Sequence, residues 1–211
     1  MVKALEEASL SSFGCFVLSL QLVVHDGLLS QRAVLKDLLA MCRSKVGHFK
    51  HSSVTNWHIS KPKHKLKQDF VTRWNSTLYT LESNLEQKMV LAAYAADNNI
   101  QHLTANQLEM AARTVLVLSP AEEMTQAVSK ETATLIPHIR VLLRSWERQD
   151  DDMEIRTMKK EMTTSLKSRF AQIEENQRLA IATVLNLRFK DKFFRVASSG
   201  PPYKRCSKKS C

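Results

Sequence analysis

The chain has 211 residues, of which 44% are hydrophobic and 25% charged, and its formal net charge is +10. This composition excludes an apolar-poor, disordered chain and allows one domain with a sizeable core. Only four glycines are present, and none lies between positions 48 and 199, so a sandwich or barrel would lack its turn residues. We therefore predict a mainly α protein, an irregular helical bundle.

The N-terminal apolar stretch and the cysteines narrow the class further. Phe13 to Val24 is interrupted by polar residues and is shorter than a membrane span, so no membrane association is expected. The four cysteines form no CxxC pair, which argues against a disulfide framework and a zinc-finger core. A reducing, intracellular compartment suits such a chain.

Hydrophobic spacing predicts the helices in chain order. The first expected helix runs from about Leu28 to Cys42, with Gly27 as a break before it. The others are one capped by Asn75 and reaching Asp97, one opened by a capping box at Thr104–Gln107, a new one at Ser119-Pro120, one opened by Pro137, a long one over residues 151–175, and a last one around Leu179–Leu185. The face of the long helix carries Ile155, Met158, Met162, Leu166, Phe170 and Ile173.

The positive charge is concentrated in two segments. Residues 43–67 hold seven Lys or Arg, four His and no acid, and residues 188–211 hold eight basic residues and one acid. Within the first segment, Lys61, Lys63, Lys65 and Lys67 could neutralise DNA phosphates by counterion release. The plainer alternative is a solvated loop. The last residues, 195–211, are predicted to be a disordered basic tail.

Catalytic and metal-binding patterns are missing. The sequence has no phosphate-binding glycine loop, nucleophile elbow or H-E-x-x-H motif. His48, His51, His58 and His64 follow Cys42, but their spacing fits no zinc finger, so a partly protonatable basic surface is the favoured interpretation. We expect no catalytic residue, no metal site and no cofactor.

Arg73 and Trp74 form a pair just after the first basic segment, at the start of a predicted helix. There Trp74 could stack on an unpaired base while Arg73 holds a phosphate. A buried core tryptophan is the alternative that the residue type itself favours.

Several motifs together resemble the insertion region of hAT-superfamily transposases, especially their domesticated descendants with BED-type zinc fingers. The most specific is Asp69-Phe-Val-Thr-Arg-Trp-Asn-Ser-Thr77, which is similar to the family's D-V-x-T-R-W-N-S-T. Ser119-Pro-Ala-Glu-Glu-Met-Thr125 resembles L-S-P-F-E-E-V-T. Thr183-Val-Leu-Asn-Leu-Arg-Phe-Lys190 resembles A-x-x-L-D-P-R-F-K, with Asn186 and Leu187 in place of aspartate and proline. Near the start, Cys15 matches the C-x-x-H segment, but Leu18 replaces the histidine.

The resemblance implies a particular organisation. Residues 1–26 would be a remnant of an RNase H-like domain, residues 27–194 the helical insertion, and residues 195–211 a tail without counterpart. The family's three catalytic acids and its oligomerisation region would lie outside this chain, so no transposase activity is expected. In the family the Arg-Trp pair handles flanking DNA, which carries over to Arg73 and Trp74 only. The implied role is a nuclear protein that binds DNA or DNA-associated proteins, with transcriptional regulation as one use.

A second function class stays open at this point. The chain could be a helical protein-interaction scaffold without nucleic-acid binding, in which Met158, Met162 and Phe170 line a groove for a partner. A truncated fragment that cannot act alone is a further alternative.

Overall fold

A computed structural model describes residues 15–51, 65–70, 72–98, 101–130, 134–148, 152–190 and 192–194. About 80% of these residues are helical and none is in a strand, which confirms the predicted mainly α class. The helices are α1 (Phe16–Ser30), α2 (Arg32–His51), α3 (Trp74–Glu86), α4 (Lys88–Asn98), α5 (Ala105–Lys130), α6 (Leu135–Trp146), α7 (Met153–Arg169) and α8 (Gln177–Leu185), with a short 3-10 helix at Ile173–Glu175. No helix in the described part of the chain is both long enough and apolar enough to cross a bilayer.

The chain divides into two compact units. The first combines Met1–Val23, Pro120–Asp150 and Lys160–Cys211, and the second combines Val24–Ser119 with Asp151–Lys159. The domain boundaries expected at residues 26 and 194 are a different division and stay predictions.

The second unit is built on the packing of α2 against α3. Leu35, Leu38 and Cys42 recur at helical spacing on the buried face of α2. Further along α2, Phe49 packs with Leu91 of α4 and lies 4.9 Å, between ring centroids, from Tyr94.

The first unit has its own core. The most amphipathic helix is α6, which buries residues on one face and packs against α8. Phe16 stacks near Phe170 with ring centroids 5.1 Å apart. Ion pairs join Arg140 to Glu174 and Lys167 to Glu147, and both lie at least partly in solvent, where such pairs add little stability.

Several helix ends are where the spacing predicts them. The capping box is confirmed: the Gln107 backbone N–H donates to Thr104 Oγ1 at 3.2 Å, and the Thr104 N–H donates to Gln107 Oε1 at 3.0 Å. The last helix is confirmed too, and Asn176 caps it by accepting from the Arg178 and Leu179 backbone N–H groups. Both caps satisfy helix-end donors that have no intrahelical acceptor.

The break expected at Gly27 is wrong. Gly27 lies inside α1, and the interruption falls at Gln31, whose N–H donates to the Leu28 carbonyl. One glycine costs a helix interior only about 1 kcal/mol, which the surrounding turns tolerate. The long helix predicted between Asn75 and Asp97 is likewise divided at Gln87. Its N-cap is Arg73 and not Asn75, so the helix begins two residues earlier than predicted, at Trp74.

The new helix expected at Ser119-Pro120 is also wrong, because α5 continues through Pro120 to Lys130. The neighbours Leu118 and Ala121 are both fully buried, and Ser119 Oγ donates to the Val115 carbonyl at 2.7 Å. Packing on either side of the proline therefore outweighs the lost backbone hydrogen bond. Pro137 lies in the first turn of α6, which begins at Leu135.

The long helix expected over residues 151–175 is shorter, since α7 ends at Arg169 and a turn leads into the 3-10 helix. Its predicted apolar face is nevertheless right. Met158, Met162 and Leu166 are each 0% exposed and Phe170 is 5% exposed. These side chains are core, which removes the groove that the interaction-scaffold alternative required.

Candidate nucleic-acid interface

The segment before α3 folds back along that helix. The Lys67 backbone N–H donates to Ser83 Oγ at 3.1 Å, and Thr80 Oγ1 donates to the Lys67 carbonyl at 3.1 Å. These side-chain hydrogen bonds satisfy extended backbone that no sheet pairs. Residues 65–70 are thereby fixed against the hydroxyl-bearing face of α3.

Asp69 is the anchor of this arrangement. Its side chain is 0% exposed, and its Oδ1 accepts from Thr77 Oγ1 at 2.8 Å. Its Oδ2 accepts from Arg43 Nε of α2 at 2.7 Å, beside a second contact to the same guanidinium. A buried carboxylate is stable only when such partners replace its water. Asp69 therefore ties α2, the extended segment and α3 together.

Ser76 completes the start of α3. Its Oγ accepts the Phe70 backbone N–H at 2.7 Å and lies 2.6 Å from the Arg73 carbonyl, to which it donates. Arg73 itself is the N-cap residue, with extended backbone and no side-chain cap hydrogen bond. The Asp-to-Thr motif is thus a local folding device, because its acidic and hydroxyl residues hold one another.

The six residues predicted to contact DNA fall into three groups: three are exposed, two lie outside the described residues, and Trp74 is buried. Lys65, Lys67 and Arg73 are exposed, and we call them the basic edge. Lys67 Nζ lies 4.7 Å from the centre of the Tyr79 ring, a cation–π distance, while Arg73 stands at the start of the same helix. Lys61 and Lys63 lie outside the described residues.

Trp74 does not lie at the surface. It is 3% exposed, so its ring packs in the core at the first turn of α3. The base-stacking role predicted for Trp74 has no accessible ring face in this conformation, and the alternative of a core tryptophan describes its position. The two neighbouring residues differ in exposure: Trp74 is buried, whereas Arg73 is exposed to solvent.

Two features of this region are not among the sequence predictions: the pairing of Arg43 and the burial of Lys45. Arg43 and Lys45 both belong to the basic segment of residues 43–67, yet Arg43 is paired with Asp69 and Lys45 is only 5% exposed. The burial of Lys45 has a weak signal in the sequence, since it lies three residues after Cys42 and four before Phe49 on one helical face. The Asp69–Arg43 pair has none, because the partners are far apart in sequence.

The histidines and Cys42 form no metal site within the described part of the chain. No group of three or more His, Cys, Asp or Glu side chains there could hold a metal ion. Burial raises the pKa of the Cys42 thiol to about 11, which keeps it protonated and a poor ligand at neutral pH. His58 and His64 lie outside the described residues.

Comparison with known proteins finds similarity to zinc finger BED domain-containing proteins. It is 28% identical to human zinc finger BED domain-containing protein 4 over 204 residues, which is 91% of this chain and 17% of that protein. Human and mouse zinc finger BED domain-containing protein 6 are each 28% identical over 171 residues, or 74% of this chain and 17% of each relative.

These matches confirm the predicted resemblance to proteins of the BED zinc-finger type, whereas the assignment to the insertion region stays a prediction. The chain spans about a sixth of the length of the curated relatives it matches. No protein-family model and no solved structure matches it.

Proposed function

We propose that the chain is a domesticated, catalytically inactive hAT transposase-like protein of the nucleus that binds DNA, alone or with DNA-associated proteins. The observation that carries the proposal is the basic edge beside a neutralised acid. Lys65, Lys67 and Arg73 are exposed, whereas Asp69, in the middle of their sequence, is buried on Arg43. The positive side chains therefore face solvent without an acid from their own segment to offset them.

The geometry suits contact with the phosphate backbone more than reading of bases. The basic edge follows α3, which has no acidic residue in its first turn, so the partial positive charge of the helix start adds to Arg73. Lysine and arginine on a fixed backbone position a protein on DNA but carry little sequence information. The similarity to zinc finger BED domain-containing proteins supports a nuclear, non-enzymatic role for this region. Transcriptional regulation is the finer part of the same proposal.

The experiment is DNA binding across a salt series from about 50 to 200 mM, where phosphate contacts produce a steep loss of affinity. The test variant changes Lys65, Lys67 and Arg73 to Gln. Each lost phosphate contact lowers the slope of log affinity against log salt by about 0.9, so a drop of up to about 2.7 is expected.

The matched control changes three exposed lysines outside the basic edge, Lys36, Lys130 and Lys160, to Gln. It removes the same net charge and is expected to leave most of the slope in place. Equal losses in both variants would show that only total charge matters, and the basic edge would then not be the interface. An affinity that does not change with salt would contradict phosphate contact altogether.

Because Trp74 is buried, its role is expected to be indirect. Trp74→Ala should weaken duplex and hairpin binding together, along with the helical circular dichroism signal. A selective loss of hairpin binding with the fold intact would instead restore the stacking interpretation.

A further inference from the structure

A pocket that none of the basic-edge residues lines lies in the second unit. It has a volume of about 190 Å³ and is lined by Met41, Ser44, Lys45 and His48 of α2 and by Gln101, which precedes α5. We call it the Lys45 pocket. The α2 residues are spaced by three and four, so they form one stripe along the helix. The pocket floor is therefore a rigid element.

Lys45 is the unusual group in this pocket. Lys45 is 5% exposed, and its Nζ is buried without a hydrogen-bond partner among the residues that the structure describes. Lysine is almost never buried unless it is paired, because an ammonium loses its hydration in the interior. Burial accordingly lowers the pKa of Lys45 from its ordinary value. A cation in this position is kept only at a cost in stability.

The neighbouring groups add donors and no compensating acid. None of the lining residues is acidic, and residues 43–67 contain no Asp or Glu at all. The nearby carboxylate of Asp69 is already engaged by Arg43. His102 follows Gln101 but does not line the pocket, and its buried Nδ1 has no partner among the described residues. Desolvation, together with the charge of Lys45, lowers the pKa of His102.

We propose that the Lys45 pocket binds a phosphate group, with Lys45 as its central cation and Ser44, His48 and Gln101 as surrounding donors. The ligand would supply the negative charge and the hydrogen-bond acceptor that Lys45 lacks among the described residues. This proposal does not rest on the basic edge, because none of its residues belongs to that surface.

Pocket size and donor arrangement favour phosphate over larger or planar anions. A volume of 190 Å³ equals that of about six liquid water molecules and is below the range for drug-sized ligands. Lysine binds phosphate as a point charge, whereas planar carboxylates are matched best by the fork of an arginine. The donors come from α2 and from Gln101, so they approach from different elements, as oxygens arranged tetrahedrally require.

The test measures thermal melting of the full chain in millimolar phosphate against chloride of equal ionic strength, near pH 7. Phosphate stabilises proteins generally by exclusion, so the quantity compared is the difference between wild type and each variant. In Lys45→Met, the melting temperature without phosphate should rise, and the phosphate-dependent increase should disappear. Isothermal titration should show at least about a tenfold loss of phosphate affinity, the size of one charged hydrogen bond.

A second variant keeps the proposal testable if Lys45→Met alters the core. Ser44 is exposed, so Ser44→Glu leaves the packing in place and offers Lys45 an internal carboxylate. It should abolish phosphate binding while the protein stays folded. Lys36→Met, on the exposed side of α2, is the matched control and should bind phosphate as wild type does.

The source of the phosphate is separated by three probes: inorganic phosphate, a nucleoside monophosphate, and a DNA oligonucleotide with or without a 5′-phosphate. Tighter binding of the 5′-phosphorylated strand that depends on Lys45 would identify a DNA end as the ligand. Equal binding of all phosphate-bearing probes would identify a free small anion. Phosphate affinity that is absent in wild type, or unchanged in both Lys45→Met and Ser44→Glu, would overturn the proposal.

Discussion

Two buried ionisable side chains beside α2 differ sharply in how they are satisfied. Asp69 has Thr77 and Ser76 hydroxyls within 3.2 Å of Oδ1 and the Arg43 guanidinium on Oδ2. Lys45, two residues from Arg43, has a buried Nζ without a partner in the described part of the chain. The same helix therefore supplies the partner of one charge and carries the other charge unpaired.

This difference separates a structural group from a group that is ready for a ligand. A fully paired buried carboxylate holds its elements in register, and removing it leaves several donors without an acceptor. An unpaired buried ammonium lowers stability by itself and gains most from an anion that arrives from outside. Substitutions at the two positions are accordingly expected to change stability in opposite directions.

The largest effect is expected for Asp69→Ala. It removes the acceptor shared by Arg43 and Thr77, so the free energy of unfolding should fall by about 2–4 kcal/mol in urea denaturation. The loss of stability is smaller than for a fully buried ion pair, because the Arg43 side chain is 43% exposed and can be rehydrated.

Asp37→Ala is the control for this prediction, since Asp37 is an exposed acid on α2. It should change stability by no more than about 0.5 kcal/mol. If Asp69→Ala were as mild as Asp37→Ala, the motif from Asp69 to Thr77 would not be the device that fixes the start of α3.

Lys45→Met should have the opposite sign. Replacing the unpaired ammonium by an apolar side chain of similar length is expected to raise the free energy of unfolding by about 1–3 kcal/mol at neutral pH without phosphate. Because the pKa of Lys45 is lowered in the folded chain, the unfolded state binds more protons between that value and the ordinary 10.5. The stability of wild type should therefore rise toward that of Lys45→Met as pH increases in this window.

The neighbouring thiol requires a control for that pH profile. The pKa of Cys42 is raised by burial to about 11 from an ordinary 9.0, so the stability it contributes is lost as pH rises from about 9 through 11. Comparing Lys45→Met with Lys45 in a Cys42→Ala background removes this opposing slope. Parallel stability curves for the two chains across alkaline pH would contradict an unpaired, buried lysine.

Thr77→Val tests one contact of the paired side. It preserves the shape of a 6% exposed residue and removes the 2.8 Å hydrogen bond to Asp69, while Arg43 and Ser76 remain. A loss of about 1 kcal/mol in unfolding free energy is expected. Thr157→Val removes a hydroxyl that donates to a helix carbonyl at an exposed position, and it should cost clearly less. Equal costs would mean that the Asp69 partners are interchangeable with solvent.

Much of the helical pattern follows from the sequence because burial requires apolar residues at every third or fourth position. This spacing identifies the face of α7 through Met158, Met162 and Leu166, and the paired Thr104 and Gln107 identify the start of α5. The misplaced boundaries at Gly27 and Pro120 share one cause. Each residue lowers helix propensity locally, but the tertiary packing that outweighs it is not visible in a single segment.

The candidate site is predicted less completely for a related reason. Charge density identifies the exposed Lys65 and Lys67, but it counts the buried Lys45 as one more surface cation. The inward position of Trp74 depends on the residue at which α3 begins. Local hydrogen bonds of Ser76 and Asp69 determine that residue. The adjacent arginine and tryptophan in the sequence do not by themselves reveal where the helix begins.

The smallest expected effect concerns His102 and the origin of its titration. Desolvation is the larger cause that lowers the pKa of His102 below its ordinary 6.5, and the charge of Lys45 is the second. Stability linked to His102 is therefore present above about pH 6.5 and is lost as pH falls toward its folded pKa. In Lys45→Met, the pKa of His102, followed by NMR, should move only part of the way back. A complete return would mean that the lysine charge, and not burial, controls the pKa of His102, whereas no change would mean that the charge of Lys45 does not act on His102.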